Sequence, residues 1–165
     1  MSEITFKQTP INTAGNFPQV GQKAIDFKLV TPTLSEVSLS DLKGQKVVFN
    51  IFPSIDTAVC ALQLKTFNQR VSDLENTTLL TASLDLPFAL GRFCGVEGIK
   101  NAITASDFRH NSLESYGVRM TDGPLAGLYA RAVLVLNEDH EIIYSELVKE
   151  VTEEPDYDAA LAVLK

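Results

Sequence analysis

The six residues "VVFNIF", 47–52, mix β-branched and aromatic side chains without regular polar alternation. Such a run reads as a strand covered on both faces, as inside a parallel sheet. Directly beyond it the period changes. Val59, Leu62, Phe67, Val71 and Leu74 recur at helical intervals, with Gln63, Lys65, Asn68, Gln69 and Arg70 between them. This predicts a helix ending near Glu75 or Asn76, after which "TTLLTASL" returns to strand character. Strand, helix and strand form the crossover that parallel neighbours require. The chain is therefore α/β, with a mixed sheet and helices on its faces.

The flanking segments extend that unit. "ITFKQTPINTAG" predicts two short strands joined around Gln8–Pro10, a hairpin extension within residues 1–17. "SEVSLSDLKGQ" predicts a strand and a helical turn stopped by Gly44. "PFALGRFCGVEG" predicts a short helix interrupted by Gly91, Gly95 and Gly98, and "SLESYGV" a turn closed by Gly117. "ARAVLVL", "NEDH" and "EIIYSELV" predict a hairpin, and "EPDYDAALAVLK" a final helix with Asp156 or Asp158 in its first turn. No repeat or linker divides this order, so residues 1–165 are expected to form one domain.

Charge and cysteine usage narrow the function. A formal net charge of −7 argues against nucleic-acid phosphates or an anionic membrane surface as partner. No run reaches the roughly 18 apolar residues that span a bilayer. "MSEITFKQTP" does not read as a secretory signal, so a cytoplasmic location is expected, where a structural disulfide is unusual. Cys60, Cys94, His110 and His140 are too scattered for a zinc site, and no cofactor is expected. The two cysteines are either buried and inert or a redox pair.

In "PSIDTAVC" Thr57 is a good N-cap candidate, which places Cys60 in the first turn of the helix. Unpaired amides and the helix dipole favour an anion there. A helix terminus contributes only about 0.3–1 kcal/mol, and Asp56 would oppose it if its carboxylate lay close. A reactive Cys60 therefore needs a cation. Arg131, at the head of an apolar strand, would share a face with Val133 and Val135. A buried arginine usually has a partner. Taken alone, Arg131 favours an ion pair with a carboxylate at the sheet's end, with a functional guanidinium as the other reading.

"NIFPSIDTAVC", with Pro53, Thr57 and Cys60, resembles the P-x-x-x-T-x-x-C signature of the peroxiredoxins. "DLPFALGRFCGVEG", "DGPLAGLYARAV" and "EPDYDAALAVLK" resemble the bacterial thiol peroxidase subfamily, in the right order along the whole chain. The resemblance implies a thioredoxin-like fold with the hairpin added. It implies Cys60 as the peroxidatic and Cys94 as the resolving cysteine, joined on oxidation in an intramolecular disulfide. Thr57 and Arg131 would hold thiolate and peroxide, and Pro53 would shield the site. Hydrogen peroxide and organic hydroperoxides would be substrates, thioredoxin the reductant and a homodimer the assembly.

Two other classes stand beside the enzyme: a redox-sensing interaction protein using the same disulfide, and an inert scaffold with two buried thiols. His110 and His140 read as solvated. For Tyr116, Phe88, Phe93 and Met120, core packing outweighs a substrate pocket.

Overall fold

The computed structural model describes residues 1–165. Strands β1 (Ser2–Phe6) and β2 (Thr9–Thr13) form the N-terminal hairpin, with Phe6 opposite Thr9. The turn is therefore Lys7–Gln8, both at positive φ (50° and 69°), nearer the N-terminus than Gln8–Pro10. Positive φ at both turn residues matches the twist of the flanking strands.

Next come β3 (Lys28–Val30), β4 (Glu36–Ser38) and a 3-10 turn at Leu39–Leu42. Strand β5 (Lys46–Ile51) leads into α1 (Ala58–Val71), then β6 (Thr77–Ser83) and α2 (Pro87–Glu97). Strand β7 (Ala102–Ser106) is followed by the hairpin β8 (Ala132–Leu136) and β9 (Ile142–Leu147), and by α3 (Tyr157–Ala162). The seven-stranded sheet has the order β4-β3-β7-β6-β5-β8-β9. β5, β6 and β7 are parallel, and the outer neighbours pair antiparallel. No helix is long and apolar enough to cross a membrane.

Alternation along β5 and β8 sorts the core into two layers. Val47, Phe49, Ile51, Ala132 and Leu134 join Phe27 and Tyr116 on one face. Val48, Val133 and Val135 join Leu64, Phe67 and Leu161 on the other, beneath α1 and α3. Phe67 meets Tyr157 edge-on at 4.9 Å, and Arg70 pairs with Asp158 at 2.7 Å, seating α3 on α1. Asp156 caps α3 by accepting from Ala159 N at 3.0 Å.

Two helices differ from the sequence expectation. In α1 the buried stripe is Cys60, Gln63, Leu64, Phe67 and Val71, whereas Leu62 is 45% exposed. The helical interval is right but the face is rotated, because a buried glutamine with polar partners takes a position that hydrophobicity gives to leucine. The helix also stops at Val71, short of Leu74. Helix α2 runs unbroken through Gly91 and Gly95 and ends at Gly98 in the left-handed region (φ 67°). At Gly91 a Cβ would come within 3.0 Å of Pro32, so close packing keeps that position small.

Candidate active site

Pro53 follows the buried residues at the C-terminal end of β5 and is itself buried, while Thr57 at the head of α1 is exposed. Between them one carboxylate holds the loop. Asp85 accepts from Ser54 Oγ and Ile55 N, both at 2.7 Å, and from Ser83 Oγ at 2.6 Å. The loop leading to Cys60 is thus tied to the segment that opens α2.

Thr57 has the extended backbone of an N-cap residue, but its hydroxyl does not cap the helix. Its Oγ1 donates to Ser54 O at 3.0 Å. With the proton committed there, its lone pairs remain free to accept. Asp56 turns outward to Arg92 of α2 (3.1 Å), which supplies its countercharge away from the thiol.

Cys60 is fully buried in the first turn of α1. Arg131, immediately before β8 and only 3% exposed, reaches it from the sheet. Its Nη1 donates to Cys60 Sγ at 3.3 Å and to Gln63 Oε1 at 2.8 Å, and its Nε donates to Val151 O at 2.9 Å. The expected ion pair is absent: no carboxylate lies within 4.0 Å of Arg131. A buried guanidinium without an anion is costly. The ionisable group in hydrogen-bond contact with it is the Cys60 sulfur.

Gln63 is the site residue that periodicity missed. It is fully buried between Arg131 and Asn50, to whose Oδ1 it donates. The signal available was its helical interval of three from Cys60.

Cys94 lies in α2, half-buried, with its Sγ 3.7 Å from Thr104 Oγ1 of β7. Burial pushes its thiol above the ordinary range, with the Thr104 contact opposing in part. Both cysteines are free. β6 and β5 stand between β7, under Cys94, and β8, beside Cys60. Strands about 4.8 Å apart put those two supports about 14 Å from one another.

An open apolar cleft of about 240 Å³ adjoins the site, lined by Phe6, Pro53, Thr57, Leu125, Leu128 and Arg131 among others. Cys60 is not part of that lining. Phe6 comes from the hairpin, which is fastened by Glu150. That carboxylate accepts from Gln8 N at 2.8 Å, Thr5 Oγ1 at 2.9 Å, Thr152 N at 3.0 Å and Lys7 N at 3.1 Å. Desolvation pushes its pKa upward, but the hydrogen bonds from Thr152, Gln8 and Thr5 outweigh it and bring it to about 2. Tyr116, Phe88 and Phe93 do not line the cleft. Tyr116 is core, donating its hydroxyl to Ile25 O, and Phe88 is 64% exposed. His110 contacts Glu36, and the partly buried His140 places Nε2 2.9 Å from Leu42 O.

The Redoxin family model matches residues 19–161. A thiol peroxidase of Corynebacterium glutamicum is 49% identical over 164 residues, covering 99% of each chain. A thiol peroxidase of Mycobacterium bovis is 47% identical over the same share. Among solved structures, a peroxiredoxin-like protein from Aquifex aeolicus has a TM-score of 0.94 at 36% identity, covering 99% of this chain and 96% of its own. A thiol peroxidase from Chromobacterium violaceum, at 22% identity, shares the fold with a TM-score of 0.91 over 98% and 94% of the two chains. With a Redoxin match over most of its length and thiol peroxidases nearly half identical to it from end to end, this chain belongs to the Redoxin family, as a peroxiredoxin-type thiol peroxidase with a thioredoxin-like fold.

Proposed function

We propose that residues 1–165 act as one domain that reduces hydrogen peroxide and organic hydroperoxides through Cys60. The observation that carries this reading is the buried Arg131 guanidinium, 3.3 Å from the Cys60 sulfur and without a carboxylate partner. Its fixed donors favour the thiolate and face the place where charge develops on the peroxide. A peroxide in the cleft meets Arg131 as a donor and Thr57 as an acceptor for its O–H.

The Cys60 thiolate attacks the terminal oxygen, forming an S–O bond as the O–O bond breaks. The departing oxygen takes a proton and leaves as water or an alcohol, and Cys60 becomes a sulfenic acid. Ionisation alone gains only about 30-fold over an ordinary thiol at neutral pH, so stabilising the stretched O–O bond must supply most of the acceleration.

Cys94 then attacks the Cys60 sulfur and displaces water to form a disulfide, which two electrons and two protons from thioredoxin reopen. A disulfide needs Cα atoms within about 4.4–6.8 Å, so the two segments must rearrange from the reduced structure. Pro53 shields the site, and the assembly is a cytoplasmic homodimer.

The test is an assay coupling hydroperoxide reduction to thioredoxin, its reductase and NADPH. Cys60→Ser abolishes peroxide consumption, and Cys94→Ser keeps the first oxidation but loses thioredoxin-supported cycling. Equal steady activity in both variants would remove these roles. Oxidation of the pair without turnover would favour the redox-sensor reading.

A further inference from the structure

The last rung between the β5 and β6 segments is Phe52 N donating to Ala82 O at 3.4 Å. Past it, residues 53–57 leave the sheet, and beyond α1 they hydrogen-bond only to Asp85 and Arg92. The Asp56–Arg92 pair has side chains 65% and 66% exposed, and such pairs contribute little. The hold therefore falls to Asp85. Its Oδ1 accepts from Ser54 Oγ at 2.7 Å, and its Oδ2 from Ile55 N at 2.7 Å and Ser83 Oγ at 2.6 Å. Three donors converging on one side chain call for a group that only accepts, which a carboxylate does through two oxygens. Ser83, fully buried at the end of β6, fixes that carboxylate from the sheet, and the buried Ile55 plugs the loop into the core.

The hold reaches the peroxide site through Ser54. Its Oγ, which donates to Asp85, accepts from Asp56 N at 3.2 Å. Its carbonyl oxygen accepts from Thr57 N at 3.2 Å and from Thr57 Oγ1 at 3.0 Å. That last bond takes the Thr57 hydroxyl proton and leaves the lone pairs for an incoming O–H.

We infer that Asp85 is a positioning residue that holds the 53–57 loop, and through Ser54 the acceptor face of Thr57, in the arrangement that reduces peroxide, and that this clasp releases before Cys94 reaches Cys60. The inference rests on the peroxidase reading and deepens it. Asp85 stands between Ser83, the last residue of β6, and Pro87, the first of α2, so it joins the loop before Cys60 to the segment that carries Cys94. A disulfide needs Cα atoms within about 4.4–6.8 Å, so loop and helix part from this arrangement when it forms. The contacts that shape the first step thus restrain the second, and loosening them moves the two rates in opposite directions.

The test uses the full chain. Sulfenic acid formation is timed by stopped flow in a Cys94→Ser background. Disulfide closure is timed by quenched single turnover with both cysteines present, at peroxide high enough that the first step is not limiting. Both are read at a pH where the Cys60 thiolate is complete in every variant, so that the lost carboxylate charge does not act through ionisation, and thermal unfolding reports the fold. Asp85→Ala should slow sulfenic acid formation by roughly 10- to 100-fold, the cost of a misplaced contact. It should speed closure by about tenfold or more, the factor for one hydrogen bond to an ionised group. Asp85→Asn, which keeps an acceptor for Ile55 N, should fall between it and the parent in both rates.

A folded Asp85→Ala protein that closes its disulfide no faster than the parent, or forms sulfenic acid no more slowly, overturns the inference. Should that variant fail to fold, Ser54→Ala removes only the hydroxyl tie, and parent-like values of the two rates overturn it equally. Diamide, a thiol oxidant that joins two sulfurs as it is reduced to its hydrazine, separates the inference from the reading beneath it. If Cys60 of the parent ignores peroxide while diamide closes the pair faster in Asp85→Ala, the peroxidase reading fails and the restraint by Asp85 stands.

Discussion

Arg131 Nη1 stands 3.3 Å from Cys60 Sγ, and the guanidinium that carries it has Val151 O and Gln63 Oε1 as its other acceptors. Every acceptor around this buried cation is neutral unless the sulfur ionises. That asymmetry links the fold to the chemistry. β8 delivers the arginine from the sheet, α1 delivers the sulfur from the helix layer, and alternation from Arg131 to Val133 and Val135 makes the two meet.

Arginine at this position should not be replaceable by lysine. A point charge on a flexible stem cannot hold Val151 O, Gln63 Oε1 and Cys60 Sγ together. Arg131→Lys is expected to lower kcat/KM for hydrogen peroxide by roughly 10²–10³, the usual cost of one fixed transition-state donor. Steady-state kinetics on folded protein checks this; a loss below threefold would mean that the planar donor set is not used.

The glycines of α2 offer a separate test of the proposed disulfide step. Gly95 has open space where a Cβ would stand, so Gly95→Ala introduces no clash. The substitution stabilises a helix by about 1 kcal/mol, a factor of about five if the segment must unwind before Cys94 reaches Cys60. Single-turnover kinetics should show slower disulfide formation with sulfenic acid formation unchanged. An unaltered disulfide rate would mean that α2 stays helical around Cys94.

Sequence and structure agree best where a physical rule is local. The β–α–β unit, the final hairpin and the place of Cys60 in a first helical turn are all legible from hydrophobic period and turn chemistry. Gln63 is not, because its burial depends on Asn50, Thr81 and Arg131, which are distant in the chain and meet only across the sheet. For the same reason the partners of Arg131 could not be told from those of an ordinary buried arginine. Thr57 shows the converse: the N-cap backbone is present, yet its hydroxyl serves Ser54 O instead of the helix.

The hairpin should be acid-labile. Glu150 is depressed from 4.5 to about 2 in the folded chain, so its contribution is present above the unfolded value. It is lost as pH falls through the window from about 4.5 to about 2. Hydrogen exchange of residues 2–13 should rise across that window before the central sheet opens, and Glu150→Gln should show the faster exchange already at neutral pH. Equal protection in the parent and Glu150→Gln would show that Glu150 does not fasten the hairpin.

Phe6 should set the response to bulky substrates. It is the hairpin's contribution to an otherwise loop- and helix-built apolar cleft. Phe6→Ser is expected to raise KM for an aryl or long alkyl hydroperoxide by about tenfold, within the range for one apolar group in a pocket, while hydrogen peroxide is little affected. Parallel changes for both substrates would place the organic group elsewhere.

The identity of the attacking atom is open to direct measurement. Cys94→Ser protein treated with one equivalent of hydroperoxide, in the presence of a sulfenic-acid trap, should consume that equivalent within the first turnover and carry the trapped adduct on Cys60. Peroxide left unconsumed, or lost with Cys60 still a free thiol, would contradict the assignment of Cys60 as the nucleophile.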